Sequence, residues 1–115
     1  QVIANLLDNA IKHSPHGEPI VVALSQPTPG TLKLTVGDRG VGIPIEARDR
    51  IFERFFRARA DDATQGLGLG LYVSRQIVEL HGGKIEAEFP AEGGTHFVVT
   101  LPVGSEALAV SHAAD

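Results

Sequence analysis

Cysteine is absent from this 115-residue sequence, so the chain forms no disulfide and no thiolate metal site. That composition fits a reducing compartment. The sequence also lacks an excess of basic residues, since 10 Lys and Arg stand against 14 Asp and Glu, a formal net charge of −4. Sequence-independent binding of nucleic acid relies on excess positive charge, and we therefore expect no nucleic-acid partner.

Long hydrophobic runs are missing as well. No apolar segment approaches the roughly twenty residues that a membrane-spanning helix needs, and the first residues show no secretory signal pattern. The sequence contains 43% hydrophobic and 21% charged residues, a balance typical of a globular domain. We expect one domain over residues 1–102, followed by a loose, aperiodic tail over residues 103–115.

The periodic segments predict a two-layer α+β domain. Apolar spacing of three and four residues predicts a helix over residues 2–11 and another from the GLGLGL segment to His81. A short helix is expected to begin at Pro44 and to carry the aromatic residues of IFERFF. Strands are predicted over residues 19–25, 31–37, 84–89 and 95–101. Helices on one face of a mixed, mostly antiparallel sheet accommodate this order best.

Three polar side chains share one face of the first predicted helix. Asn5, Asn9 and Lys12 are spaced at i, i+4 and i+7. An Asn oxygen suits Mg²⁺, which takes its other ligands from water and phosphates, and a Lys neutralises phosphate charge. The alternative is a solvated polar stripe in which Asp8 and Lys12 form an ion pair, and on this helix alone we favour that alternative.

Two glycine-rich segments carry further candidate contacts. Asp38 follows a predicted strand and opens DRGVGI, whose glycines let the backbone approach a flat ligand while the carboxylate accepts from an adenine amine. An ordinary strand-to-helix turn explains these residues equally well. GLGLGL opens the last helix, where unpaired N–H groups favour a phosphate, although a plain hinge is compatible with it too. A dinucleotide-binding motif would have to follow a strand, and a charged loop precedes this one.

Together these segments resemble the histidine-kinase branch of the ATPase superfamily that also contains gyrase, the mismatch-repair ATPases and the large heat-shock chaperone. NLLDNAIKHS is similar to the family's asparagine box, DRGVGIP (residues 38–44) to its first glycine box, IFERFF to its phenylalanine box, and GLGLGL (residues 66–71) to its second glycine box. Arg39 and Gly37 depart from the family pattern without removing a contacting group. The resemblance implies the Bergerat ATP-binding fold, lacking its N-terminal part.

The resemblance implies ATP and Mg²⁺ as cofactors and a role for each matching residue. Asn9 would coordinate Mg²⁺, Lys12 would contact phosphate and Arg57 would face the γ-phosphate, which makes these three the expected catalytic residues. Residues 59–65 would form a lid over the nucleotide. The expected nucleotide contacts are Asn5, Asn9, Lys12, His13, Asp38, Gly40, Gly42, Ile43, Phe52, Gly66, Leu67, Gly68, Leu69, Gly70 and Leu71.

The implied reaction transfers the γ-phosphoryl group of ATP to a histidine, for relay to a response regulator. None of the five histidines has the setting of a phosphoacceptor, so we expect the acceptor on a dimerisation domain upstream, together with the start of the first helix and one more strand. The module would then be the cytosolic part of a membrane-anchored sensor kinase. Two alternatives stay open: a serine protein kinase of the anti-sigma type, and a degenerate binding or dimerisation module without turnover.

Overall fold

The computed structural model describes residues 1–13, 18–40, 42–56 and 69–103. None of the helices in these ranges is long and apolar enough to cross a membrane. In chain order the elements are α1 (Val2–His13), β1 (Val21–Thr28), β2 (Thr31–Asp38), a 3₁₀ helix (Ile45–Arg50), α2 (Gly70–Leu80), β3 (Lys84–Glu88) and β4 (Thr95–Pro102).

The described strands form one sheet in the order β1-β2-β4-β3. Leu34 and Val36 of β2 lie opposite Val99 and Phe97 of β4, and these side chains belong to the hydrophobic core. The alternate positions of the same strands, such as Lys33, fall on the opposite face. The alternation predicted for β2 is therefore confirmed. All the described strand pairs are antiparallel, so the parallel part of the expected mixed sheet is not found among them.

Both α-helices pack on the apolar face of the sheet. α1 contacts β2, α2 contacts β3, and the two helices contact each other. Leu6 and Ala10 of α1 and Val78 of α2 are buried against Val36 and Phe97. Because burying one large apolar side chain stabilises a fold by about 1.5–3 kcal/mol, these few contacts hold the helices in place. The predicted two-layer α+β architecture is confirmed.

The buried side of α1 is as predicted at Val2, Leu6, Leu7 and Ala10 and differs from the prediction at the two isoleucines. Ile3 and Ile11 are 51% and 64% exposed, whereas Asn5 and Asn9 are half-buried. The reason is that α1 packs against both β2 and α2. Its buried side is therefore centred on Leu6, and Ile3 and Ile11 lie outside it. Side chains predicted to line a polar face thus lie at the edge of the core.

The phenylalanine box does not lie on a helix, so that prediction is wrong. The 3₁₀ helix ends at Arg50, and the chain continues in turns in which Phe55 adopts a φ of 66°. Ile51 is buried, and the ring of Phe52 meets that of Phe97 edge-on with 6.2 Å between the centroids. Because 3₁₀ helices rarely run long, the chain turns after Arg50, and both contacts are made from the turns.

The edge strand β1 is longer than predicted and exposed along its whole length. It extends to Thr28 and includes Pro27, which lies where the pairing with β2 becomes irregular. Proline has no N–H to donate to a neighbouring strand, so it is tolerated at such an edge position. Val22 and Leu24 lie on the apolar side of the sheet yet are 51% and 65% exposed, beyond the area that α1 and α2 cover.

Candidate functional site

The asparagine side of α1 contacts the N-terminal end of α2. Nδ2 of Asn5 lies 3.3 Å from Oγ of Ser74 and 3.4 Å from the carbonyl oxygen of Gly70. Ser74 is fully buried, and a buried hydroxyl requires a hydrogen-bonding partner of this kind. The contact brings the predicted asparagine box against the end of the second glycine box, although the two segments are 65 residues apart in sequence.

Asn9 lies one turn further along α1, on the same side as Asn5. It is half-buried, and its carboxamide makes no hydrogen bond to another described residue. Half-buried amides are usually satisfied by a partner, by water or by a ligand. The Asn9 oxygen is therefore available to a metal ion, and an amide oxygen is a ligand that Mg²⁺ accepts.

Lys12 forms an ion pair with Asp8, with 3.0 Å between Nζ and the Oδ2 atom. The pair predicted as the alternative use of this helix face thus exists. Its two side chains are 35% and 63% exposed, and exposed pairs at this spacing contribute only about 0.3–0.5 kcal/mol. A polyphosphate can compete for the ammonium group against so weak a partner. His13 closes α1, and its side chain lies outside the described residues.

The N-terminus of α2 has no side-chain cap among the described residues. Leu69 occupies the N-cap position and provides no side-chain hydrogen bond, and the first turn carries no acidic residue. Gly70 is exposed, and a Cβ atom at that position would have no atom of another described residue within 4 Å. Unsatisfied N–H groups and the helix dipole favour an anion at such an end. Leu71 points into the protein, where it packs against the core.

Part of the predicted site lies outside the described residues. This applies to Arg57, Gly66, Leu67 and Gly68, and to the expected lid over residues 59–65. Their roles stay predictions.

Asp38 ends β2 on the side of the sheet that the helices cover. It is in phase with Leu34 and Val36 and is only 3% exposed. Its Oδ1 accepts a hydrogen bond from the backbone N–H of Gly40 at 2.8 Å, and Oδ2 has no partner among the described residues. A buried carboxylate oxygen left unpaired is costly, so Oδ2 is a ready acceptor for a donor on a ligand.

Thr95 joins the site although it is not among the predicted contacts. It opens β4 directly opposite Asp38 and is 3% exposed. Residues paired in this way project from the same face of the sheet with their Cβ atoms about 5 Å apart. The GGT sequence that ends at Thr95 was the only available signal, and its meaning depends on a strand pairing that one sequence does not reveal.

Two predicted contacts from the first glycine box and the phenylalanine box contribute to the core. Ile43 and Phe52 are half-buried and pack against the central cluster. Gly42 adopts a φ of 75°, a conformation that glycine takes without strain. These residues therefore support the segment that follows Asp38, and direct contact with a nucleotide stays a prediction for Gly40, Ile43 and Phe52.

The hairpin between β3 and β4 packs tightly against the first glycine box. A Cβ atom at Gly94 would lie 2.1 Å from the carbonyl oxygen of Asp38 and 2.9 Å from Cα of Arg39. The φ of Gly94 is 85°, which also disfavours a side chain. The backbone at Gly94 therefore lies directly against that of Asp38 and leaves no room for a side chain.

Gly94→Ala is expected to lower the free energy of unfolding by about 3 kcal/mol, the combined effect of backbone strain and overlap with Asp38. Gly93→Ala is the matched control, because Gly93 also has a positive φ, 105°, but no atom within 4 Å of its Cβ position. That variant should lose only about 1 kcal/mol. Urea unfolding followed by circular dichroism measures both. Equal losses would contradict the close packing of Gly94 on Asp38.

A shallow pocket of about 190 Å³ lies beside the end of β2, and Asp38 is among the residues that line it. It is lined in part by Thr35, Gly37 and His96, and the His96 ring lies so close to Gly37 that a Cβ atom there would be 2.7 Å from Cδ2. This contact explains why glycine occupies position 37. Sites for molecules of nucleotide size usually exceed about 300 Å³, so this pocket is too small for ATP.

Comparisons with known proteins agree with this geometry. The family model described as histidine kinase-, DNA gyrase B-, and HSP90-like ATPase matches residues 1–105. The adaptive-response sensory kinase SasA of Trichormus variabilis is 43% identical over 103 residues, which cover 90% of this chain and 26% of SasA. The chain therefore spans about a quarter of the length of the curated relatives it matches.

Solved structures give the same result. The mycobacterial sensor histidine kinase MprB superimposes with a TM-score of 0.78 at 41% identity, covering 88% of this chain and 67% of that one. Full-length ShkA in complex with AMPPNP superimposes with a TM-score of 0.74 at 28% identity, covering 88% of this chain and 20% of that one.

Proposed function

We propose that this chain serves as a phosphoryl donor. The premise is its family, since the chain belongs to the histidine kinase-, DNA gyrase B- and HSP90-like ATPases. Within that family it is an ATP-binding catalytic module of the sensor histidine kinase type. Its role is to bind ATP with Mg²⁺ and to present the γ-phosphoryl group to a histidine outside these 115 residues. The alternatives of a serine kinase and of a module without turnover are not favoured by these relatives.

The observation that carries the proposal is the buried Asp38 carboxylate with an unpaired Oδ2. Such an oxygen accepts a hydrogen bond from the exocyclic amine of adenine, and the nearby Thr95 hydroxyl can both donate and accept. Gly40 and Gly42 leave room for the flat base beside them. The purine is thereby assigned to the end of β2, under the helix layer.

The phosphates are assigned to the other part of the site, where α1 meets the N-terminus of α2. The N–H groups of the first turn of α2 have no partners within the helix and suit phosphate oxygens, and Lys12 adds a positive charge once it leaves Asp8. Asn9 would hold Mg²⁺, which neutralises charge on the β- and γ-phosphates when bound. We assign Arg57 and the remaining glycines of the second glycine box to the same phosphate site.

In the proposed reaction a histidine nitrogen attacks the γ-phosphorus, the bond to the β,γ-bridging oxygen breaks, and ADP leaves with that electron pair. Catalysis then consists mostly of holding the reacting atoms in line and stabilising charge. We place the acceptor histidine on an upstream dimerisation domain and the final acceptor on a response regulator. The module would function in the cytosol as part of a membrane-anchored sensor.

Isothermal titration calorimetry with the non-hydrolysable analogue AMPPNP tests the nucleotide assignment. With excess Mg²⁺ we expect one molecule bound per chain, and with EDTA at least about tenfold weaker binding, because the phosphate charge then lacks its counter-ion. Absence of AMPPNP binding in the presence of Mg²⁺, by a chain that is folded by circular dichroism, would exclude the proposal.

A further inference from the structure

Arg48 connects three parts of the protein near the proposed purine site. It lies on the 3₁₀ helix and is half-buried. Its Nε–H donates a hydrogen bond of 3.0 Å to the carbonyl oxygen of Ile43, the residue before the last position of the first glycine box. Its guanidinium carbon lies 3.9 Å above the centre of the Phe89 ring, directly after β3. One side chain thus ties the glycine box to the sheet.

The contacts of Arg48 differ from those of the other arginines near it. Arg50 also lies over an aromatic ring, that of Phe56 at 4.8 Å, but it is exposed and pairs with Glu53. Arg48 has no carboxylate partner among the described residues, and its polar contact is a backbone carbonyl. A half-buried arginine whose guanidinium lies over a ring and whose Nε–H is directed at one carbonyl has little rotational freedom.

The first glycine box is fixed at both ends by contacts of different kinds. At Asp38 the backbone is paired with β4 and touches Gly94. At Ile43 the carbonyl oxygen accepts a hydrogen bond from the side chain of Arg48. Between these points the chain contains two glycines, and it turns through a positive φ at Gly42. A segment with two glycines that was held at one end only would adopt many conformations. The purine slot, the space beside Asp38 proposed to hold the base, would then have no fixed shape.

We propose that Arg48, stacked on Phe89, is a positioning residue that sets the shape of the purine slot and thereby its preference for adenine. This inference rests on the proposed function. Asp38 favours adenine only if the base is oriented with its exocyclic amine toward Oδ2. Arg48 holds the other end of the first glycine box in place through Ile43, and a box of fixed shape limits the orientations in which the base fits.

The inference is tested by measuring AMPPNP and its guanine counterpart GMPPNP on the same variants by calorimetry. Arg48→Ala is expected to bind AMPPNP about tenfold more weakly, because the binding-competent shape of the glycine box is then populated only about a tenth of the time. Its AMPPNP-to-GMPPNP affinity ratio should fall by about the same factor. Arg48→Lys should restore little, because an ammonium group lacks the planar fork that both stacks and donates.

Arg50→Ala is the matched control, since it removes an arginine and a ring contact from the same 3₁₀ helix without touching the glycine box. It should leave both affinities within about twofold of the parent chain. Phe89→Leu provides a second route should Arg48→Ala fail to fold, because it removes the ring and keeps apolar volume. It should shift the ratio in the same direction, and Phe89→Tyr should not.

The outcomes separate this inference from the function on which it rests. If the parent chain binds AMPPNP and the Arg48 and Phe89 variants fall in affinity ratio while the Arg50 variant does not, Arg48 positions the slot. If these variants melt at a lower temperature but keep the parental ratio, Arg48 stabilises the fold only, and the inference is overturned. A parent chain without AMPPNP binding refutes the function itself.

Discussion

Asn9→Ala is expected to weaken Mg-dependent AMPPNP binding by about 100-fold. In metal sites, removing a residue that only hydrogen-bonds to a metal ligand lowers metal affinity by up to about 100-fold. Asn9 is proposed to bind the ion directly. Without the amide oxygen the ion keeps only water and phosphate ligands, so it no longer links the triphosphate to α1. Calorimetric titration at saturating Mg²⁺ measures the loss.

The fold should tolerate this change, so the loss can be assigned to the ligand. The Asn9 carboxamide has no hydrogen-bond partner among the described residues, and alanine is the better helix former. We therefore expect the free energy of unfolding to stay level or to rise by about 0.5 kcal/mol. Gln76→Ala, which removes an exposed amide from α2, serves as the control and should leave affinity unchanged.

Repeating the titrations in EDTA shows whether Asn9 acts through the metal. If it does, the parent chain and Asn9→Ala should bind AMPPNP equally weakly without Mg²⁺, because the interaction that the mutation removes is then absent from both. A 100-fold difference that persists in EDTA would mean that Asn9 contacts the nucleotide itself. Equal affinities with Mg²⁺ present would remove Asn9 from the site.

The layered fold could be predicted from the sequence because its inner elements are strictly periodic. Leu32, Leu34 and Val36 alternate with polar residues, and β2 lies in the middle of the sheet where one face is buried. α2 begins at Gly70 and ends at Leu80, and His81 then contacts the carbonyl of Ile77 through Nδ1 at 2.8 Å, as its predicted position at the helix end implies.

Predictions based on an apolar pattern alone were wrong where tertiary packing decides which side is buried. The isoleucines of α1 satisfy the helical spacing, yet Ile3 and Ile11 are exposed because the helix also contacts α2. IFERFF has the apolar content of a helix, but Phe52 reaches Phe97 from a turn. Neither outcome can be obtained from local spacing, since both depend on neighbours that are distant in sequence.

For the candidate site, the sequence indicates the segments and the structure adds their proximity. The asparagine and second glycine boxes were predicted separately, and the hydrogen bonds of Asn5 to Gly70 and Ser74 bring them together. Thr95 and Arg48 were not predicted, because their significance depends on strand pairing and on a ring at position 89. The sequence carries no such signal for Arg48, and for Thr95 it carries only the GGT pattern.

Asp38→Ala is expected to weaken AMPPNP binding by about 10- to 100-fold, the range for loss of a hydrogen bond to a charged group. Part of the effect is indirect, since Oδ1 also holds the N–H of Gly40 at 2.8 Å. Asp49→Ala, which removes an exposed carboxylate, is the control for the change in net charge and should leave the affinity unaltered.

Asp38→Asn separates recognition of the base from support of the loop. The amide retains one acceptor for Gly40 and presents an N–H₂ group where Oδ2 was. That group repels the amine of adenine and suits the carbonyl oxygen that guanine carries at the same position. AMPPNP affinity should therefore fall while GMPPNP affinity holds or rises. If both fall by one common factor, Asp38 only supports the loop, and the purine does not bind at the end of β2.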